Sequence, residues 1–273
     1  MTRLTRRGLL GGAAAGLIAS AKAPDFQLVD YHAHLEGIGL DQALRLSRQR
    51  SVKFGIVAHA GKKTAAPSER LSTDAELEQF VVSLAGKPVY KGIQAEGLDW
   101  MSCFSKEAVA QLDYVLSDAL TFPEKNGRLV QLWKPGATVG DKQDFMERYT
   151  AFHVEVMARE PIDILANPTF LPAEIEKEYD ALWTPGRMRR IIDAALQYGV
   201  AIEINARYRV PSAAFLKAAR RAGVKLSTGS NSHGEDIGKL DYCVETIQAL
   251  GLTRKDMFTP APGGHKPIET RRF

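Results

Sequence analysis

From Gln27 onward, short apolar runs rich in β-branched residues alternate with longer segments of helical period. Seven runs read as strands: "QLVDYH" at 27–32, "VKFGIVAH" at 52–59, "VYKGIQAE" at 89–96, "DYVLS" at 113–117, "IDILA" at 162–166, "VAIEIN" at 200–205 and "VKLST" at 224–228. Most are too uniformly apolar for a sheet with one wet face, so helices must cover both faces or ring a closed barrel. Among the intervening segments, "TPGRMRRIIDAALQYG" is a clear helix. Thr184 can cap it, Pro185 suits its first position, and Met188, Ile191, Ile192, Ala195 and Leu196 form one stripe before Gly199. "VPSAAFLKAARRAG" repeats the plan with Pro211 and Gly223. The segment Thr121–Asp141 breaks the alternation and reads as an excursion, a hairpin lying over one end.

The pattern predicts a single α/β domain over residues 24–273, since a parallel barrel routinely reaches this length undivided. Its last stretch, from about residue 259, is Pro- and Gly-rich and is expected to pack loosely. Residues 1–23 stand apart. They carry paired arginines, Arg6 and Arg7, then an uncharged run from Gly8 to Ala21 and small residues suited to cleavage. The run is too short and too Gly-rich for a bilayer span, so no stable membrane anchor is expected. The order Thr5, Arg6, Arg7, Gly8, Leu9, Leu10 resembles a twin-arginine signal. It implies the twin-arginine export machinery as a partner and a periplasmic or extracellular destination.

This leader changes the meaning of the charge. It holds Arg3, Arg6, Arg7 and Lys22 and no acid, so without it 32 basic residues face 32 acidic ones. The basic overall balance is therefore no argument for nucleic acid as a partner. Cys103 and Cys243 have no spacing that demands pairing and are expected as separate thiols.

Candidate chemistry begins at "DYHAHLEG". His32 and His34 lie two apart at a strand's end, so both imidazoles project to one side, where they can share a cation. His59, Glu96 and His233 close later strands at the same end, the face where parallel barrels gather their reactive groups. Lys62 and Lys63 follow His59, and Arg207 and Arg209 follow Asn205, placing basic groups at the same mouth for an anionic substrate. His153 lies beside an apolar helical stripe and is expected to pack, and His265 falls in the tail. No Gly-x-Ser-x-Gly elbow is present, which disfavours a serine hydrolase.

Together "DYHAHLEG", "GIVAHAG", "IQAEG", "DILANP" and "AIEINARYRVPSAAFLKAARRAGVKLSTGSNSHG" resemble the polymerase and histidinol phosphatase (PHP) family. The chain is similar to a divergent, exported member. The resemblance implies a distorted TIM-like (βα)7 barrel and a metal-dependent hydrolase, a phosphoesterase using a metal-activated water on a small anionic substrate. It implies His32, His34, His59, Glu96 and His233 as metal ligands, with Glu96 bridging, and makes Glu96, His59 and Asp118 the catalytic group. Arg207, Lys62 and Asn205 would bind substrate. Two positions depart from the family pattern: Asn167 stands for a ligand histidine and Asn231 for a ligand aspartate, while Asp118 is the nearest residue to another missing histidine.

Divalent clusters need anionic ligands, and an asparagine offers only a neutral oxygen. One or two ions (zinc, manganese or iron) are therefore expected rather than three, with Glu36 a further carboxylate within reach. A barrel that has lost catalysis and only binds metal or ligand is the alternative. Adenosine deaminases also carry His-Ala-His-like and His-Ala-Gly blocks, but there the second block comes far later and an Asp-Asp pair follows.

Overall fold

The computed structural model describes residues 24–63 and 70–260. The leader, residues 64–69 and the tail from 261, with His265, lie outside the described residues.

Seven parallel strands form one sheet: β1 (Leu28–Ala33), β2 (Val52–Ala60), β3 (Tyr90–Ala95), β4 (Tyr114–Ser117), then β7 (Ile164–Leu165), β8 (Ala201–Asn205) and β9 (Leu226–Gly229). Between β4 and β7, the antiparallel pair β5 (Thr121–Pro123) and β6 (Leu129–Gln131) is the hairpin of the excursion. The spatial order of the seven follows the sequence order. Its two edges meet where Ala33 bridges Ser232 and the His34 N–H donates to the Ser232 carbonyl at 3.1 Å. The result is a distorted TIM-like (βα)7 barrel, irregular in register between Asp30 and Ala33 and narrow at β7, where only Ile164 and Leu165 pair.

Helices α1 (Leu40–Arg50), α2 (Asp74–Ser83), α3 (Lys106–Val109) and α4 (Lys142–Arg159) lie in the first part of the chain. Helices α5 (Tyr179–Leu182), α6 (Pro185–Tyr198), α7 (Ala213–Ala222) and α8 (Asp241–Leu250) follow. Helix α6 starts at the expected cap, Thr184 accepting from the Arg187 N–H, and stops at Gly199 in the left-handed region. Its buried face is Ile191, Ile192, Ala194 and Ala195, whereas Leu196, expected in the stripe, is 53% exposed. The stripe turns away from Leu196 because Arg187, at the other edge, is buried by bonds to Glu147, Gln143 and the Leu182 carbonyl.

The barrel interior is layered. Its lower part is a small apolar cluster containing Tyr31, Val57, Tyr114, Leu116, Ile164 and Ala201. Tyr114 lies across β2 and β3: a Cβ on Gly55 would sit 2.3 Å from its hydroxyl, and one on Gly92 2.5 Å from its ring. That hydroxyl donates to the Tyr31 carbonyl at 2.7 Å, so the ring closes the barrel floor. Two residues further along β2, β4 and β8 the interior turns polar: His59 after Val57, Asp118 after Leu116 and Glu203 after Ala201. Period-two alternation keeps these side chains on the interior side, above the apolar layer and at the strands' C-terminal ends.

Both cysteines are free thiols, and Cys243 is fully buried with its thiol on the Ile204 carbonyl. His153 is fully buried within α4, its Nδ1–H donating to the Tyr149 carbonyl at 2.8 Å. Among the described residues no helix is long and apolar enough to cross a membrane.

Candidate functional site

Two sectors share the polar mouth. In the first, His34, Glu36, His59 and His233 offer ligand atoms that all lie within 4.8 Å of one another. The His34 ring stacks on His233 at 4.3 Å and on His59 at 4.7 Å between centroids. Glu36 Oε1 lies 3.5 Å from His59 Nε2 and 3.9 Å from His34 Nδ1, and the other Glu36 oxygen accepts from His233 Nδ1.

His34 is fully buried, yet neither of its ring nitrogens has a hydrogen-bond partner. Burial, reinforced by His32, His59 and His233, holds its pKa well below the ordinary imidazole value, so it presents neutral nitrogens. Three imidazoles and one carboxylate whose ligand atoms lie this close together are a donor set that suits a borderline divalent ion such as zinc.

The loops carrying these ligands are fixed from below. The fully buried Asp30 carboxylate accepts from the backbone N–H groups of His32 (3.1 Å), Ser230 (2.8 Å) and Gly238 (2.8 Å). It thereby ties the segment after β9, which bears His233, to β1, which leads to His34. His59 is oriented from behind, its Nδ1–H donating to Glu96 Oε1 at 2.8 Å, which leaves Nε2 toward the cluster. Glu96 Oε2 also lies 3.7 Å from the Arg70 guanidinium.

His32 lies outside this group of four. Its Nδ1 donates to Glu203 Oε1 at 2.7 Å and its Nε2 to the Gln94 side-chain oxygen Oε1 at 3.0 Å. Burial opposes protonation, but the Glu203 charge and hydrogen bond outweigh it: the His32 pKa is raised and that of Glu203 lowered, giving a buried ion pair. Gly229 leaves room for it, since a Cβ there would lie 2.0 Å from Glu203 Oε1 and 2.7 Å from the His32 Cβ.

The second sector is built from amides. Asp118 Oδ2 accepts from Gln94 Nε2 (3.2 Å) and Asn167 Nδ2 (2.9 Å). The Asn167 side-chain oxygen accepts from Asn205 (2.8 Å) and Asn231 (3.0 Å), and Asn205 also donates to Glu203 (2.9 Å). Burial and the nearby Glu96 charge push the Asp118 carboxyl up to about 6. Asn167 (φ 47°) and Asn231 (φ 50°) both occupy the left-handed region, where asparagine, aspartate and histidine are favoured among non-glycine residues.

A cavity of about 210 Å³ joins the sectors, walled by His59, Asp118, Trp133, Asn167, Arg207 and His233 among others. Arg207 donates to the Asn231 carbonyl at 3.1 Å. Asn205 is fully buried and is not on that wall. Lys62 borders a second cavity of about 750 Å³, reached past Glu96 and Arg70.

The structure thus gathers His34, His59 and His233 with Glu36. It places His32 on the Glu203–Gln94 pair, Glu96 behind His59, and Asp118, Asn167 and Asn231 in the amide sector. Sequence reasoning gave no role to Gln94, Glu203, Asp30 or Arg70. Strand parity was a usable signal for two of them: Gln94 pairs with His59 across β2 and β3, and Glu203 precedes Asn205 by two.

No known family pattern and no curated protein matches the chain in sequence. Among solved structures it is similar to histidinol phosphate phosphatase from Lactococcus lactis, determined with zinc, L-histidinol and phosphate. The TM-score is 0.50 at 13% identity, over 85% of this chain and 93% of that one. An HpcH/HpaI aldolase from Desulfitobacterium hafniense DCB-2 superposes with a TM-score of 0.37 at 13% identity, over 88% and 95% of the two chains. The architecture is the PHP-type barrel.

Proposed function

We propose that the chain is a metal-dependent phosphoesterase of the PHP type, exported by the twin-arginine route and acting on a small anionic ester. The observation that carries this reading is His34: a fully buried imidazole with both nitrogens unpartnered, facing His59, His233 and Glu36. These four residues would hold one divalent ion, which when bound supplies Lewis acidity and lowers the pKa of a water.

The chain's own groups supply the rest. Glu96 holds the His59 tautomer. Arg207, on the cavity wall, offers a guanidinium fork to phosphate oxygens. Asp118, raised to about 6, keeps its proton in mildly acidic solution and can hand it to a leaving oxygen. Leu120 and Trp133 line the same cavity and give it apolar surface.

The experiment is metal content per chain in protein recovered from its exported form, joined to a screen of phosphate esters with zinc, manganese and iron each supplied. About one ion per chain and turnover on at least one ester are expected. Tight metal with no turnover would sink the hydrolase and leave the second reading, a metal-binding barrel without catalysis. The hydrogen-bonded amide sector favours that second reading, because the Asn167 side chain is already engaged by Asp118, Asn205 and Asn231. Asn167→His combined with Asn231→Asp separates them further: a second ion with newly gained turnover supports the impaired barrel, and unchanged turnover supports the hydrolase. Both replacements suit the left-handed backbone at those positions.

A further inference from the structure

The 750 Å³ cavity is far larger than the phosphate-sized space beside the metal cluster, and its size suits an organic ligand of drug-like dimensions. Its wall combines apolar surface from Leu98, Val130 and Phe152 with the basic side chains of Lys62, Arg70 and Lys134. Arg70 is the informative one. Its side chain is only 10% exposed, and its Nε is buried without a hydrogen-bond partner. Thr121 Oγ1, on the same wall, is likewise buried and unpartnered. Buried donors of this kind carry a desolvation cost unless a ligand satisfies them. Among the described residues neither Lys62 nor Lys134 forms an ion pair, whereas Arg128 on the same wall is already held by Glu124. Arg70 also contacts Glu96, which contacts His59, so this cavity lies two contacts from the metal cluster.

We infer that this cavity is a second anion subsite, so that the preferred ligand is a phosphate ester whose apolar organic portion carries a further acidic group. The phosphate lies at the His34, His59 and His233 end, the apolar body against Leu98, Val130 and Phe152, and the second anion on Arg70 and Lys134. This inference rests on reading the cluster as the phosphoester end. The β5–β6 hairpin then has a role: it carries Val130 and leads to Lys134, forming one wall of the specificity pocket.

The test is calorimetric binding of two non-hydrolysable probes, benzylphosphonate and 4-(phosphonomethyl)benzoate, to the zinc-loaded full chain. One charge-assisted contact predicts about tenfold tighter binding of the carboxylate-bearing probe. In Arg70→Ala and in Lys134→Ala that advantage falls to less than about threefold, a ratio that a general loss of folding or metal would not selectively move. Lys134 is exposed just after the hairpin, so its variant stays informative if Arg70→Ala misfolds. Equal affinities in the parent, or an advantage that survives both substitutions, would overturn the subsite. A chain that prefers the carboxylate probe but cleaves no ester keeps the subsite and loses the hydrolase. One that cleaves esters without the preference loses the subsite alone, and failure of both probes to bind removes both.

Discussion

The imidazole sector and the amide sector sit at the same height in one barrel, on strands of the same sheet, and differ in whether their polar atoms are already satisfied. Gln94, Asp118, Asn167, Asn205 and Asn231 form a chain in which each named side chain meets another. Neither ring nitrogen of His34 makes a hydrogen bond. A self-satisfied network stabilises the fold by itself, whereas a site with unused lone pairs is stable only because its surroundings over-determine it. Binding capacity is therefore legible in what a site leaves unmade rather than in how polar it is.

The sharpest way to break the contrast is His34→Ala. Bound zinc is expected to fall from about one ion per chain to none in mass-spectrometric metal analysis, with loss of all ester turnover. Zinc would also no longer raise the unfolding midpoint, a stabilisation of about 2.7 kcal/mol in the parent at a hundredfold excess over Kd. Next is Glu203→Ala, which strands the His32 charge in the interior. Removing one partner of a buried pair costs about 3–5 kcal/mol, to be read from denaturant unfolding of the metal-free protein.

His153 supplies a third comparison, because its Nε2 is also buried and unpartnered, yet it stands among aromatic rings and, among the described residues, in no group of metal-ligating side chains. Burial lowers its pKa from 6.5 to about 4. The folded state therefore resists its protonation, and stability falls as pH drops from about 6.5 to 4. The full loss is about 3 kcal/mol relative to neutral pH. His153→Gln should flatten that part of the stability profile, whereas a profile identical to the parent's would show that His153 is not its source. The smallest effect is expected for Asn205→Ala, about 1–2 kcal/mol of stability with zinc content unchanged, since Asn231 still donates to Asn167. Loss of zinc in that variant would show that the sectors are not separable.

Much of the architecture could be read from the chain because the signals are local. The seven runs are apolar on both faces, and Thr184, Pro185 and Gly199 mark the ends of α6 within a few residues of sequence. The convergence of His34, His59 and His233 could be read as well, since parity and strand ends place all three at one face. The division of labour around them could not. His32 and His34 look equivalent as His-x-His, and only the distant Glu203 and Gln94 take the first away. Asn167 and Asn231 look like missing ligands, while their left-handed backbone gives asparagine a conformational reason to be there. Leu196 shows the same limit in a helix, where a buried arginine 40 residues from its partner Glu147 decides which face turns inward.

The Asp30 carboxylate, which gathers N–H groups from β1 and from the segment after β9, has a consequence for the order of assembly. His34 stands near the start of the barrel and His233 near its end, so the four ligands exist as a set only once the last strand has docked on the first. An ion held by these four residues could not template early folding, as it does in small domains organised around zinc. Its capture would instead certify that the circle of strands has closed, and a chain stalled with its seam open would be unable to retain metal however well its other strands had formed.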